Sequence, residues 1–203
     1  MKFLIGIFFC FFALSVQASI LEDLRVSAKQ NCDSKISITQ QKTISLFGET
    51  IESKIIVFTS VSGKMRMQTI SPFEAVSIFD TKSFVRFEKK NNKWQKLESK
   101  SSMIAKRIFD EIKNLLLGNI SSSDYNISEK SKTLVLVPKN SAVQKFVARI
   151  EIFTKVENAK RIVCSIKIID ADSDTTLLNF DKIESVKVPN NIFNTDTLTE
   201  ITK

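Results

Sequence analysis

The residues with the clearest potential for acid–base or metal chemistry are Asp170, Asp172 and Asp174, which alternate along one short segment. Carboxylates at this spacing occur in calcium-binding loops and in general acid–base pairs. They also occur in solvated hairpin turns, which is the interpretation that we favour. The chain has no histidine, the commonest general base, and no GxSxG, P-loop or GxGxxG motif. The sequence therefore predicts a protein that is not an enzyme and that holds no metal and no cofactor.

The cysteines leave two interpretations open. Cys10 lies in the amino-terminal apolar segment, and Cys32 and Cys164 remain as candidates for a disulfide in an oxidising compartment. Cys164 lies in an alternating apolar run, so a buried free thiol is the other interpretation. No CxxC pair and no cysteine–histidine set is present, which excludes a structural zinc site.

Residues 1–18 have the pattern of a secretory signal peptide. Lys2 supplies the positive charge, Phe3 to Val16 is apolar, and Val16 and Ala18 are small residues at the positions that a signal peptidase recognises. A transmembrane anchor is the alternative, but a helix of this length extends only about 21 Å, short of the roughly 30 Å hydrocarbon core. We therefore expect cleavage after Ala18, and a single exported domain over residues 19–203.

The charge of the chain is strongly basic. It has 30 basic and 22 acidic residues, a formal net charge of +8. The basic residues are scattered, without the basic helix or the aromatic–basic alternation that is typical of nucleic-acid binding, so nucleic acid is not an expected partner. Two interpretations remain: an ordinary solvated surface, and attraction to anionic lipid headgroups or an acidic partner.

Beyond the first residues of the domain, apolar and polar residues mostly alternate with period two, which is typical of antiparallel strands. Turn signals such as Ser62-Gly63 and Asn91-Asn92 separate the segments. We count about eleven strands, among them 144–155 and 161–170. A sheet of that size curls because of its right-handed twist. The sequence therefore predicts an α+β domain with a single curled antiparallel sheet, an incomplete β-barrel, whose concave face is apolar.

Two segments are helical instead. A short helix is predicted where Ile20, Leu21 and Leu24 recur at the start of the domain. A longer helix is predicted over 101–118, where the residues of one face include Ile108, Ile112 and Leu115. An amphipathic helix that seals one face of the sheet and a lid over an apolar cavity have the same pattern, so the sequence does not separate these two interpretations.

Several short segments follow one another in an order and at a spacing that are similar to those of a known protein family. They are I-T-Q-Q-K at 38–42, K-M-R-M at 64–67, S-P-F at 71–73, V-S-I-F-D at 76–80, L-V-L-V-P-K at 134–139, I-K-I-I-D-A-D-S-D-T-T at 166–176 and N-N-I-F at 190–193. In these segments, from about Leu21 to Phe193, the chain resembles the outer-membrane lipoprotein carrier (LolA-like) family of Gram-negative bacteria. It resembles a divergent branch, because Ser60-Val61 replaces the family's lid-latching arginine–proline pair and Met67 replaces a tryptophan.

This resemblance implies a helical lid over the barrel and a monomeric lipid carrier in the periplasm. Such a carrier takes the acyl chains of lipoproteins, or of a related glycolipid, from an inner-membrane donor to an outer-membrane acceptor, and thereby acts as a chaperone in outer-membrane biogenesis. No bond is made or broken. The alternative is a lipid-sensing or interaction protein of the cell envelope that uses the same fold without transport.

Strand alternation gives a set of candidate ligand-binding residues for the cavity. They are Ile36, Ile38, Phe58, Met65, Met67, Phe146, Ile150 and Ile166. The matching candidates on the lid are Ile108, Ile112 and Leu115. A slip of one residue in strand register would reverse each assignment.

Overall fold

The structure is a computed structural model that describes residues 19–29, 33–80, 83–97, 120–158, 160–195 and 198. Three predictions lie outside the described residues: the signal peptide over 1–18, the helix over 101–118 with its lid residues, and the pairing of Cys32. No helix in the described ranges is long and apolar enough to cross a membrane.

In the part of the chain that the structure describes, eleven strands form one antiparallel sheet. They are β1 (Ser34–Ile44), β2 (Glu49–Thr59), β3 (Met65–Ser71), β4 (Ala75–Phe79), β5 (Phe84–Lys90), β6 (Lys93–Lys96), β7 (Tyr125–Lys130), β8 (Thr133–Pro138), β9 (Arg149–Glu157), β10 (Lys160–Ile169) and β11 (Thr175–Ser185). Their spatial order is β6-β5-β4-β3-β2-β1-β11-β10-β9-β8-β7. Strands β1 and β11 join the two halves, and β6 and β7 are the edges of the open sheet. The predicted α+β fold, an incomplete barrel, is confirmed.

Within the described residues, three short helices accompany the sheet: α1 (Ile20–Lys29), α2 (Ser141–Gln144) and a 3-10 helix (Asn190–Phe193). Helix α2 corrects one prediction, because the segment 144–155 is a strand only from Arg149. The Asn140 side chain accepts a hydrogen bond from the Ala142 N–H at 2.8 Å and so starts a helical turn there. The backbone N–H of Phe146 still bonds to Val143 at 2.9 Å, so Phe146 lies in the turn after α2.

The larger core lies on one face of the sheet, which we call the inner face. Alternate residues of β8, β9 and β10 place Leu134, Leu136, Ile152 and Ile166 in this core, where each is at least 99% buried. Helix α1 packs against β10 and β8 and adds apolar side chains to the same cluster. The half of the inner face formed by β8–β10 is therefore filled.

A second core lies on the opposite, outer face of β2–β6. It contains Val76 and Ile78 of β4 together with Val188, Phe193 and Leu198 of the carboxy-terminal segment. Strand β4 is buried at every position, because Phe79 packs in the inner core while Val76 and Ile78 pack against the carboxy-terminal segment, and this explains why its sequence is mostly apolar on both sides.

The buried side chain of Arg66 on β3 extends towards the outer core and the carboxy-terminal segment. Its Nη1 donates a hydrogen bond to the carbonyl of Ile192 at 2.8 Å, while its Nε and Nη2 have no partner within the described structure. Burial lowers the pKa of Arg66 to about 10. The guanidinium therefore stays protonated at neutral pH, and a buried cation touches the carboxy-terminal segment.

Candidate functional site

A groove of about 400 Å³ opens on the inner face in the half formed by β1–β5. This volume lies within the range of small-molecule sites, roughly 300–1,000 Å³. The apolar side chains of the groove are Ile51, Ile55, Met67, Pro72, Phe73 and Ala75. Its polar and charged side chains are Gln40, Ser53, Thr69, Glu74, Arg86, Glu88, Lys89 and Lys90. The groove is thus apolar on one side and ionic on the other.

Short side chains on neighbouring strands create this space. Ser53 on β2, Thr69 on β3 and Ala75 on β4 all face inward, and Thr69 pairs directly with Ala75. Because paired residues lie side by side on one face, the three leave room that longer side chains would fill. Towards the β4–β5 turn, stacked Phe79 and Phe84, with ring centroids 4.6 Å apart, fill the same face. The groove is therefore closed in that direction and open in the other.

The open end of the groove lies beside two turns with exposed apolar side chains. Leu46 and Phe47, in the turn between β1 and β2, are 82% and 69% exposed. Phe73, between β3 and β4, is 79% exposed. Both turns lie at the same end of the sheet, because the strands alternate in direction. Exposed apolar side chains therefore adjoin the open end of the groove.

Helix α1 is held over the inner face by polar contacts along its first turn. The Glu129 carboxylate accepts hydrogen bonds from the Ser19 hydroxyl and from the N–H groups of Ile20 and Leu21, the latter two at 3.0 and 3.3 Å. Arg161 donates to Asp23 at 2.9 Å. At the amino terminus of α1, Glu129 also complements the positive end of the helix dipole.

The environment of Glu129 shifts its pKa. Partial burial raises the pKa, but the hydrogen bonds from Ser19, Ile20 and Leu21 and the nearby charge of Arg161 outweigh burial and hold it below the ordinary value of 4.5. The native state thus favours the ionised carboxylate. Its contribution to stability is present above pH 4.5 and is lost as the pH falls through the lower native pKa.

We therefore expect Glu129→Gln to lower the free energy of unfolding by about 0.5–1 kcal/mol at pH 7. The difference from the wild type should shrink as the pH falls from about 5 to 3, because the wild-type carboxylate is then protonated. Urea denaturation at each pH measures it. Glu49→Gln, at an exposed position on β2, is the control. A difference that is the same at pH 3 and pH 7 would show that charge at Glu129 is not what stabilises α1.

The structure distributes the sequence-predicted liners over four places. Met67 lines the groove. Five others lie on the inner face but are buried in its core: Ile36, Ile38, Met65, Ile150 and Ile166. Phe58 lies against the outer core, and Phe146 lies in the turn after α2. Whether any of them contacts a ligand stays a prediction.

The sequence reasoning did not find the polar side of the groove. A signal for it exists, because Phe84, Arg86 and Glu88 alternate on β5 and Phe84 is an inner-face residue. Charged residues two and four positions after an inward phenylalanine must face inward as well.

The acidic segment is a turn, as favoured. The Asp170 carboxylate accepts hydrogen bonds from the N–H groups of Asp172 and Asp174, at 3.0 and 2.9 Å. Asp174 in turn accepts one from the Ser45 N–H at 2.8 Å and ties this turn to the β1–β2 turn. In the part of the chain that the structure describes, no cluster of three side chains suits a metal ion.

The half-buried thiol of Cys164 donates to the carbonyl of Phe153 at 3.3 Å.

Fold and groove together define a protein of the incomplete-barrel class. A DUF1329 family protein from Desulfovibrio piger is similar in structure, with a TM-score of 0.55 and 9% identity over 88% of this chain and 97% of that one. A LolA superfamily protein from Nitrosomonas europaea has a TM-score of 0.51 and 11% identity over 88% and 97% of the two chains. At such identities the likeness shows a common fold.

The sequence itself identifies the family. Residues 60–196 match the family model described as outer membrane lipoprotein carrier protein LolA. This match covers more than half of the chain, so the chain belongs to the LolA family, as a divergent member. No curated protein sequence matches the chain.

Proposed function

We propose that the protein is a periplasmic carrier. It binds the acyl chains of lipoproteins, or of a related glycolipid, in the inner-face groove and moves them from an inner-membrane donor to an outer-membrane acceptor. The observation that supports this proposal is a partly apolar groove on the inner face of a LolA-family barrel, open beside exposed apolar turns. No covalent step is part of the proposal.

The composition of the groove suits a cargo that must be released. Each methylene that is removed from water contributes about 0.8 kcal/mol, so the wall formed by Ile51, Ile55 and Met67 favours an acyl chain. The polar groups of Ser53 and Thr69 on the same surface limit that gain, because a hydrocarbon does not satisfy their hydrogen bonds. Moderate affinity is what a carrier between two membranes requires.

The test is native mass spectrometry with lipid extraction on protein purified from the envelope of its own host. The expected result is an acylated molecule bound as a single copy to a monomer. A protein that is always empty, and that also fails to take up a fluorescent fatty acid, would overturn the proposal. Uptake without any transfer of the probe between vesicles would favour the lipid-sensing alternative.

The exposed turns give a second prediction, which concerns the rate of lipid transfer and not the affinity for the lipid. Leu46→Ser with Phe47→Ser should slow the transfer of a pyrene-labelled lipid from the protein to acceptor vesicles by about fivefold, which corresponds to about 1 kcal/mol of lost contact. The equilibrium affinity for the probe should not change, because neither residue lines the groove. Fluorescence dequenching measures both quantities.

The control for this prediction is Val61→Ser. Val61 is 73% exposed, but it lies in the turn between β2 and β3, at the other end of the sheet. Equal slowing by this variant would show that general surface hydrophobicity, and not the open end of the groove, governs transfer.

A further inference from the structure

The groove contains an ionic wall where an acyl-chain site has no need of one. Arg86 and Glu88 face inward from β5, and each retains only about a third of its exposed side-chain surface, 31% and 30%. The neighbouring inward residues of β4 are Ala75 and Ser77, which are too short to cover them. A partly buried ion pair contributes little to stability compared with apolar side chains of the same size. The pair therefore points to ligand binding.

The charges of this wall do not balance. Arg86 donates to Glu88 at 3.1 Å, and Lys90 lies 3.8 Å from the other oxygen of the same carboxylate. Lys89 is paired with Glu74 at 2.8 Å. The groove is thus lined by three cations and two carboxylates, and Arg86 and Lys90 share one acid between them. One positive charge is left in excess beside an apolar surface.

We propose that the cargo is an amphiphile with one negative charge. Its acyl chain lies along Ile55 and Met67, and its anionic headgroup binds between Arg86 and Lys90. The inference rests on the proposed function, since it names the class of molecule that the same groove takes. Arg86 is the principal partner because a planar guanidinium matches an anionic oxygen pair, whereas Lys90 acts as a point charge.

Two kinds of lipid supply this chemistry: the carboxylate of a free fatty acid and the phosphodiester of an anionic phospholipid. The experiment therefore uses two pairs of probes with matched chains. Dodecanoate is compared with dodecanol, and lysophosphatidylglycerol with lysophosphatidylcholine, each by displacement of a fluorescent acyl probe from the purified protein. We expect the anionic member of at least one pair to bind about tenfold more tightly, as for a hydrogen bond to a charged group. The pair with the larger ratio identifies the headgroup.

Variants assign the effect to the wall. Arg86→Gln should bring the anionic-to-neutral ratio close to one, while the neutral probe keeps its affinity. Glu88→Gln should increase the ratio, because it removes the carboxylate that competes for both cations. Lys96→Gln is the matched control: it removes one positive charge from an exposed site on β6 that pairs with Phe87 and so lies on the outer face, away from the groove.

The outcomes separate the two proposals. If charged and neutral members of both pairs bind equally well, the anionic cargo is wrong and the acyl-chain carrier stands. If neither member of either pair displaces the probe, or if the probe itself does not bind, the carrier proposal falls as well. A ratio that falls equally in Lys96→Gln would trace the preference to net charge and overturn the role of Arg86.

Discussion

Thr69→Trp is expected to lower the affinity for an acyl probe by at least about tenfold, because the indole ring occupies the space in which the chain would lie. Thr69 lies on β3 between Ile55 and Ala75, and all three line the groove. Its side chain is only half-buried, so the larger residue enters open space and displaces no core residue. Aromatic residues are also favoured in strands, so the sheet should tolerate the change.

The control is Thr50→Trp. It makes the same substitution at a position next to the groove in sequence but on the outer face of the sheet. Thr50 is exposed and precedes Ile51, which lines the groove; alternation therefore turns Thr50 outward. Titration of a fluorescent fatty acid measures affinity, and thermal unfolding verifies that both variants are folded. Full affinity in Thr69→Trp would mean that acyl chains bind elsewhere on the protein.

The strands were predictable because their signals are local. Alternation fixed the strands of the sheet, and turn residues fixed its connections: Gly63 has a positive φ of 81°, and Asn91 and Asn92 have φ values of 51° and 60°, which suits a tight hairpin. The error at Phe146 has a local cause as well. The alternation continues through Phe146, but the cap at Asn140 starts a helical turn that overrides it.

The groove was less predictable because its position depends on which segments of the chain cover each face of the sheet. Residues 55–58 read Ile-Ile-Val-Phe, and such a run does not tell the inner face from the outer one when both are buried. Val57 belongs to the inner core and Phe58 packs against the outer core. The carboxy-terminal segment that covers Phe58 is distant in sequence. Alternation therefore gave candidate residues, but not the side of the sheet on which each would lie.

Arg66→Met is expected to raise the free energy of unfolding by about 2 kcal/mol. The guanidinium is fully buried and makes one hydrogen bond, to the carbonyl of Ile192. A hydrogen bond from a charged group contributes about 1.5–3 kcal/mol, but each buried donor that is left unsatisfied costs about 1–3 kcal/mol, and Arg66 has two. The lowered pKa has the same cause, since burial disfavours the charged form. Methionine keeps an unbranched apolar chain in the site without a charge.

Urea denaturation measures this effect as a higher midpoint at an unchanged slope, since a change in slope would indicate a different denatured state. Arg149→Met is the control: Arg149 is half exposed in a surface ion pair with Glu151, where a change within about 0.5 kcal/mol is expected. Arg66→Ala separates charge from packing, because it removes the same charge but leaves a cavity, and should be less stable than Arg66→Met by about 2–4 kcal/mol.

If Arg66→Met were instead destabilised by 2 kcal/mol or more, the single bond to Ile192 would outweigh both unpaired donors. The carboxy-terminal segment would then be held to the sheet chiefly by that cation and not by the apolar contacts of Val188 and Phe193.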